Sequence, residues 1–194
     1  MKTNILLAGV GGQGILTIAA ILDTAALASN FHLKQSEVHG MSQRGGAVQS
    51  HVRISDTKIY SDLIPQGKAD MIISVEPMEL LRYLPFLKKD GYLITDLNPF
   101  LNITDYPELE ELYAEIKSYP NHIIIDAKKI AKDLGNSRAT NIVLLGAASA
   151  IIPLSEESLK QAIKTLFERK GERIVTKNIE AFNKGKEIAT EFVL

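Results

Sequence analysis

Residues 1–22, MKTNILLAGVGGQGILTIAAIL, decide the fold. The run NILLAGV (4–10) is short, apolar and stopped by glycines, which reads as a buried strand. Residues 15–29, ILTIAAILDTAALAS, are apolar nearly all round, as a helix buried on a sheet is. Strand, tight turn and helix follow one another within thirty residues. The turn between them carries Gly9, Gly11 and Gly14 in the spacing G-x-G-x-x-G, where bare backbone lets a phosphate approach the amides at a helix N-terminus. The extra Gly12 and Gln13 fit that use. They equally fit contact with another anion or a partner, or simple tight packing.

Outward from this unit, strand and helix patterns alternate. HLKQSEV (32–38) reads as a second strand. AVQSHVRIS (47–55) sets Val48, Ser50, Val52 and Ile54 against Gln49, His51 and Arg53, a half-exposed strand expected to pair antiparallel with KIYSDLI (58–64) across a turn at Asp56-Thr57. ADMIISV, GYLITDL and HIIIDA repeat the apolar-strand signature. Glu76-Pro77 is expected to open a helix over 77–89, with Pro77 at its first position. Residues 108–118, 127–134 (with Gly135 as C-cap), 139–152, 156–169 (capped by Ser155) and 174–192 read as further helices. The expectation is a single three-layer α/β domain, a Rossmann-like, mostly parallel sheet with a β-hairpin inserted near 47–64.

Composition narrows the function classes. The chain has 194 residues, 45% of them hydrophobic and 23% charged, an ordinary globular balance for one domain. A formal net charge of −1 offers no bulk attraction for nucleic acid or an anionic membrane, so an anion site must be local. There is no cysteine, so thiolate metal sites, disulfides and cysteine nucleophiles are excluded on this chain. If electrons move, another polypeptide carries the cluster. The N-terminal apolar run is too short for a signal peptide, and a soluble cytoplasmic protein is expected.

A second stretch carries chemistry. Residues 36–55, SEVHGMSQRGGAVQSHVRIS, gather His39, Arg44, His51 and Arg53 around Gly40 and the pair Gly45-Gly46. An arginine fork ahead of two glycine amides suits phosphate or carboxylate, and His39 and His51 add groups that titrate near neutrality. In a parallel sheet the loops after the first and second strands meet at the carboxyl edge, so both glycine-rich loops are expected to face one crevice. Glu37 lies near the place where a dinucleotide binder keeps its ribose-binding acid. Glu76 could reach the same edge but is favoured as a helix start, and Asn141 could point into the crevice but is favoured as a cap. The four histidines have no metal-site spacing, and no metal ligand set is assigned.

The segments MKTNILLAGVGGQGILTIAAIL, SEVHGMSQRGGAVQSHVRIS, LIPQGKADMIISVEPMELLRYLPFL and LGNSRATNIVLLGA together resemble the gamma-subunit family of 2-oxoacid:ferredoxin oxidoreductases. Within it the loop His39 to Arg44 is most similar to the indolepyruvate type, whose equivalent chain is called beta. The resemblance implies that residues 1–194 form one pyruvate/ketoisovalerate oxidoreductase gamma-type domain. It implies a subunit in the oxidative decarboxylation of a 2-oxoacid, with coenzyme A as acyl acceptor and ferredoxin as electron acceptor. Thiamine diphosphate, magnesium and iron-sulfur clusters would sit on a larger alpha subunit, and the isolated chain would be catalytically silent and could form a homodimer. No catalytic residue is assigned to this chain. The binding set is Gly9, Gly11, Gly12, Gln13, Gly14, Glu37, His39, Met41, Gln43, Arg44, Gly45 and Gly46, with Met41 and its neighbours nearest an aromatic substrate ring. The alternative is an NAD(P)- or FAD-dependent Rossmann dehydrogenase built on GVGGQG and Glu37, which needs a substrate domain or a tyrosine-lysine pair beside the nicotinamide. A non-catalytic ligand-binding regulator is a third reading.

Overall fold

The computed structural model describes residues 1–40, 45–101 and 103–191. Among these residues, six strands form one sheet: β1 (Lys2–Val10), β2 (His32–His39), β3 (Ala47–Ser55), β4 (Ala69–Ser74), β5 (Leu87–Asp96) and β6 (His122–Ile125), in the order β2-β3-β1-β4-β5-β6. β4, β5 and β6 extend from β1 in parallel, whereas β3 runs antiparallel to both β1 and β2. Among the described residues, seven α-helices cover the sheet: α1 (Ile15–Ala28), α2 (Pro77–Arg82), α3 (Leu109–Lys117), α4 (Ala127–Asp133), α5 (Thr140–Ala148), α6 (Glu156–Phe167) and α7 (Glu172–Ala189).

The continuous apolar character of the strands follows from burial on both faces. Alternate residues of β1 feed two cores: Ile5 and Leu7 join the core beneath α1 and α4–α7, and Leu6 and Ala8 join the one beneath α2 and α3. α5 is buried from Asn141 to Ala148, and its contact with α7 depends on two glycines. A Cβ on Gly146 would lie 2.0 Å from the Phe182 carbonyl oxygen, and one on Gly185 would lie 1.9 Å from that of Val143. The two backbones therefore approach too closely for any side chain at these positions.

Helix ends follow local chemistry. Ser155 accepts from the Ser158 amide, and Glu156 and Glu157 occupy the first turn of α6. Gly135, at φ +71, closes α4: its amide donates to Lys132 O, and the Asn136 amide donates to Ala131 O. Helix 77–89 is shorter than expected. α2 stops at Arg82, a 3-10 turn spans Leu84–Phe86, and the chain then enters β5, because Pro85 has no amide to continue an α-helix. α5 likewise ends at Ala148 rather than 152.

The hairpin is where the expectation fails. The strand pair is β2–β3, not 47–64, and it is built into the sheet with β3 lying between β2 and β1. Both edges of β3 are thereby hydrogen-bonded, leaving none for residues 58–64, which form no strand. Nor is β3 half-exposed: His51 is 3% and Arg53 is 5% exposed. Residues 58–64 cover them. Arg53 donates to Asn4 Oδ1 and to the Ser61 and Leu63 carbonyls, while the Ile64 amide donates to His51 Nδ1. Burial, with help from Arg53, pushes the His51 pKa down, in keeping with a neutral ring that accepts a hydrogen bond.

Candidate functional site

β2, although separated from β1 by β3, runs in the same direction as β1, so both strands deliver their following loops to one rim. Those loops touch: the Gly11 amide donates to the Gly46 carbonyl at 2.9 Å, one pair beyond the Val10–Ala47 register. Gly40 donates to Ala47 O and closes the second loop at its base.

The glycines of the first loop have separate reasons. A Cβ on Gly9 would meet Ile15 Cδ1 at 2.7 Å and Gln13 Oε1 at 2.9 Å, and Gln13 Oε1 accepts from the Val10 amide at 2.7 Å. Gly9 is therefore needed for packing. Gly14, the residue before α1, has φ +82, and a Cβ there would stand 2.6 Å from Asn141 Nδ2. Gly12, at φ +103, has open space where a Cβ would go and is exposed, as a position for close approach of a ligand should be. Two of the four expected anion-binding amides are already occupied, Gly11 by Gly46 O and Gln13 by Val10 O at 3.1 Å. Among the described residues, the amides of Gly12 and Gly14 donate to no protein acceptor.

Of the remaining expected residues, Gly45 (φ +79) and Gly46 lie at this rim. Met41, Gln43 and Arg44 lie outside the described residues. His39 ends β2 opposite Val48, and its side chain is likewise outside the described set. His51 and Arg53 are withdrawn from the site by the buried contacts above. Glu37 is at the end of β2 and accepts from Gln35 Nε2 at 2.7 Å. With β3 intervening, Glu37 is two strand spacings from β1, roughly 10 Å across the sheet. In a dinucleotide fold the acidic strand is β1's immediate neighbour. The one Y-x-x-x-K spacing, Tyr113 to Lys117 on α3, gives no catalytic pair there. The Tyr113 hydroxyl donates to the Leu97 carbonyl, and burial, with the Asp96 and Glu76 carboxylates, pushes its pKa up.

The opposite wall comes from residues not picked out as site residues in the sequence. One cavity of about 210 Å³ is lined by Gly12, Gln13, Asp96, Asn98, Lys128 and Arg138, among others. A second, of about 350 Å³, shares Gly12, Gln13 and Arg138 and continues to Asn141, Lys170 and Asn178. The starts of α1, α4 and α5 all border this crevice, so three helix N-termini add positive potential to Lys128, Arg138 and Lys170. Asn141 is not a cap. It sits inside α5, 4% exposed, and its Nδ2 donates to Gly14 O at 2.9 Å, pinning the glycine loop to the far wall. Asp96 is 2% exposed and accepts from the Ala127 amide and from Asn98 Nδ2. Burial pushes its pKa up against these hydrogen bonds. An aspartate ending an apolar strand at the carboxyl edge was the available sequence signal for it. Arg138, Lys128 and Lys170 gave no such signal, since each is an ordinary exposed cation in its own segment.

Glu76 behaves as read, opening α2. It is fully buried and accepts from the Glu79 and Phe100 amides and the Tyr106 hydroxyl.

Fold and site together define a three-layer α/β domain with an anion-suited crevice at the sheet's carboxyl edge and a strand order that departs from dinucleotide binders. Residues 4–188 match the pyruvate ferredoxin/flavodoxin oxidoreductase family, and the chain belongs to it. It is 40% identical to the indolepyruvate oxidoreductase subunit IorB of Pyrococcus horikoshii, over 98% of this chain and 97% of that one. The gamma subunit of a keto/oxoacid ferredoxin oxidoreductase from Geobacter sulfurreducens has the same fold (TM-score 0.71, 27% identity, 97% and 99% covered). So does part of the 2-oxoglutarate:ferredoxin oxidoreductase of Magnetococcus marinus, solved with 2-oxoglutarate, coenzyme A and succinyl-CoA bound (TM-score 0.78, 24% identity). There this chain covers 98% of itself but spans only 31% of the longer polypeptide.

Proposed function

We propose that the chain is the small subunit of a thiamine-diphosphate-dependent 2-oxoacid:ferredoxin oxidoreductase acting on indolepyruvate or related arylpyruvates. Its carboxyl-edge crevice receives an anionic reactant, a phosphate of coenzyme A or the 2-oxoacid carboxylate. The observation that carries this is the contact between the two glycine-rich loops, Gly11 to Gly46, facing a wall that holds Arg138 and Lys128. The likeness to IorB over nearly the whole of both chains supports the substrate class.

The larger subunit carries thiamine diphosphate, magnesium and iron-sulfur clusters and passes electrons to ferredoxin. With no cysteine, this chain has no thiolates to hold a cluster. Thiamine diphosphate supplies stabilisation of the carbanion left by decarboxylation. This chain's residues bind and orient. The Gly12 and Gly14 amides and the Arg138 guanidinium hold negative charge, and Arg44 ahead of Gly45-Gly46 is assigned the same role by its resemblance to the family loop. Held in a crevice closed from water, such contacts are stronger than on an open surface. The position of Glu37, two strands from β1, argues against a dehydrogenase.

The test is co-expression with the large subunit, followed by viologen reduction across a panel of 2-oxoacids with and without coenzyme A. The expected result is coenzyme A-dependent reduction fastest with arylpyruvates and none from the isolated chain. Activity on no 2-oxoacid, or micromolar NADH binding by the isolated chain, would overturn the reading.

A further inference from the structure

Among the described residues, Asp96 is the one carboxylate lining the first crevice cavity, and its two oxygens are treated differently. Every hydrogen bond that the side chain accepts there ends on Oδ1: from the Ala127 amide at 2.9 Å, from Asn98 Nδ2 at 3.2 Å and, weakly, from the Lys128 amide at 3.4 Å. The Asn98 amide adds attraction for the charge. None of these hydrogen bonds ends on Oδ2, in a residue that is 2% exposed. Yet Oδ2 is not sealed off as Glu79 Oε2 is, so its small opening is to the cavity that Asp96 lines.

A nearly buried carboxylate oxygen that no protein group satisfies calls for a donor from a ligand. Lys128 and Arg138 line the same cavity, but neither pairs with Asp96 among the described residues. Nor do three metal-ligating side chains come together among those residues, so the oxygen is left for an N–H or O–H rather than a metal ion. The rest of the wall says what carries that donor. Val75, Pro99 and Phe100 supply apolar and aromatic surface beside Asp96, while Gly12 and Arg138 border the same cavity and suit negative charge. At about 210 Å³ the space suits one ring system rather than a whole nucleotide. An apolar ring, a donor on that ring and an anionic tail together describe an arylpyruvate whose ring bears an N–H or O–H.

We infer that Asp96 is a specificity-determining residue: the ring of an indole-bearing 2-oxoacid lies against Val75, Pro99 and Phe100, its N–H donates to Asp96 Oδ2, and its carboxylate faces Gly12 and Arg138. This rests on the arylpyruvate reading above and deepens it. The test pairs indolepyruvate with its benzothiophene isostere, in which sulfur replaces the ring N–H, each turned over by the co-expressed complex with coenzyme A and a viologen. The wild-type complex is expected to favour indolepyruvate in kcat/KM by at least about tenfold, the worth of a hydrogen bond to a charged group. Asp96→Asn can keep the Ala127 contact through its carbonyl oxygen but turns an amide N–H toward the ring. Its ratio should fall to within about twofold of one, with turnover of the isostere retained and circular dichroism melts unchanged. A merely structural Asp96 would lower both substrates together and leave the ratio at its wild-type value, which would overturn the inference. A wild-type ratio near one would overturn it alone, whether or not the variant folds. In both cases turnover of indolepyruvate leaves the functional reading intact, whereas a wild-type complex active on no arylpyruvate would overturn both.

Discussion

Replacing Gly14 with alanine tests how the glycine loop is held. The residue has φ +82, where a Cβ costs about 1–2 kcal/mol of backbone strain. That Cβ would also fall 2.6 Å from Asn141 Nδ2, so the amide must swing away and give up its 2.9 Å hydrogen bond to Gly14 O. Asn141 is 4% exposed and finds no water in exchange, a loss of about 1–2 kcal/mol. Gly14→Ala should therefore destabilise the chain by ~3 kcal/mol, and Asn141→Ala by ~1–2 kcal/mol. Once Asn141 is gone, adding the Gly14 methyl group leaves only the strain. The double variant should then be at least ~1 kcal/mol more stable than the summed single losses predict. Urea unfolding followed by far-ultraviolet circular dichroism measures all three. Additivity within about 0.3 kcal/mol would refute the coupling of loop and wall.

Gly185→Ala should destabilise by ~3 kcal/mol or prevent folding, and Gly146→Ala likewise, because each new methyl group would overlap a carbonyl oxygen of the facing helix; near-wild-type melting of either would contradict the packing of α5 on α7. Asp23 gives a pH signature. Burial, and secondarily Glu37, pushes its carboxyl up from 3.8 to about 6, so the folded state binds its proton more tightly than the unfolded chain. Stability is therefore lost as pH rises from about 4 to 6, and the deficit is complete above 6. After discounting for partial solvent access, Asp23→Asn should stabilise by ~1–2 kcal/mol at pH 7.5 and make no difference at pH 3.5. Equal shifts in melting temperature at both values would contradict it.

The first strand, glycine turn and α1 were legible because each signal is local: an apolar run, backbone-only residues and a longer stretch apolar nearly all round. Ser155 and Gly135 were readable as caps for the same reason. The β3 error has a different cause. Alternation in AVQSHVRIS specifies a strand with two faces, but not which strands flank it or what covers the polar face. Arg53 was read on the exposed face of that strand, among the cations gathered around the glycines, whereas three carbonyl oxygens spread over residues 4–63 satisfy it in the interior. The crevice wall was illegible on the same ground. Asn141 meets Gly14 across 127 residues, and Arg138, Lys128 and Lys170 become a cationic wall only when α4, α5 and the end of α6 are packed beside α1. The 40% identity to IorB supports the family expectation drawn from motif order, though not the residue-level assignment of the site.

The account turns on Arg138, which borders both cavities and faces Gly12 in each. The measurement is steady-state kinetics of the complex co-purified with Arg138→Ala, varying coenzyme A and arylpyruvate separately. A lost charge-assisted contact of about 1.5–3 kcal/mol corresponds to a KM at least about tenfold higher for one of the two anions, with kcat changed far less. Unchanged KM values for both would show that the crevice does not hold the reactant's negative charge.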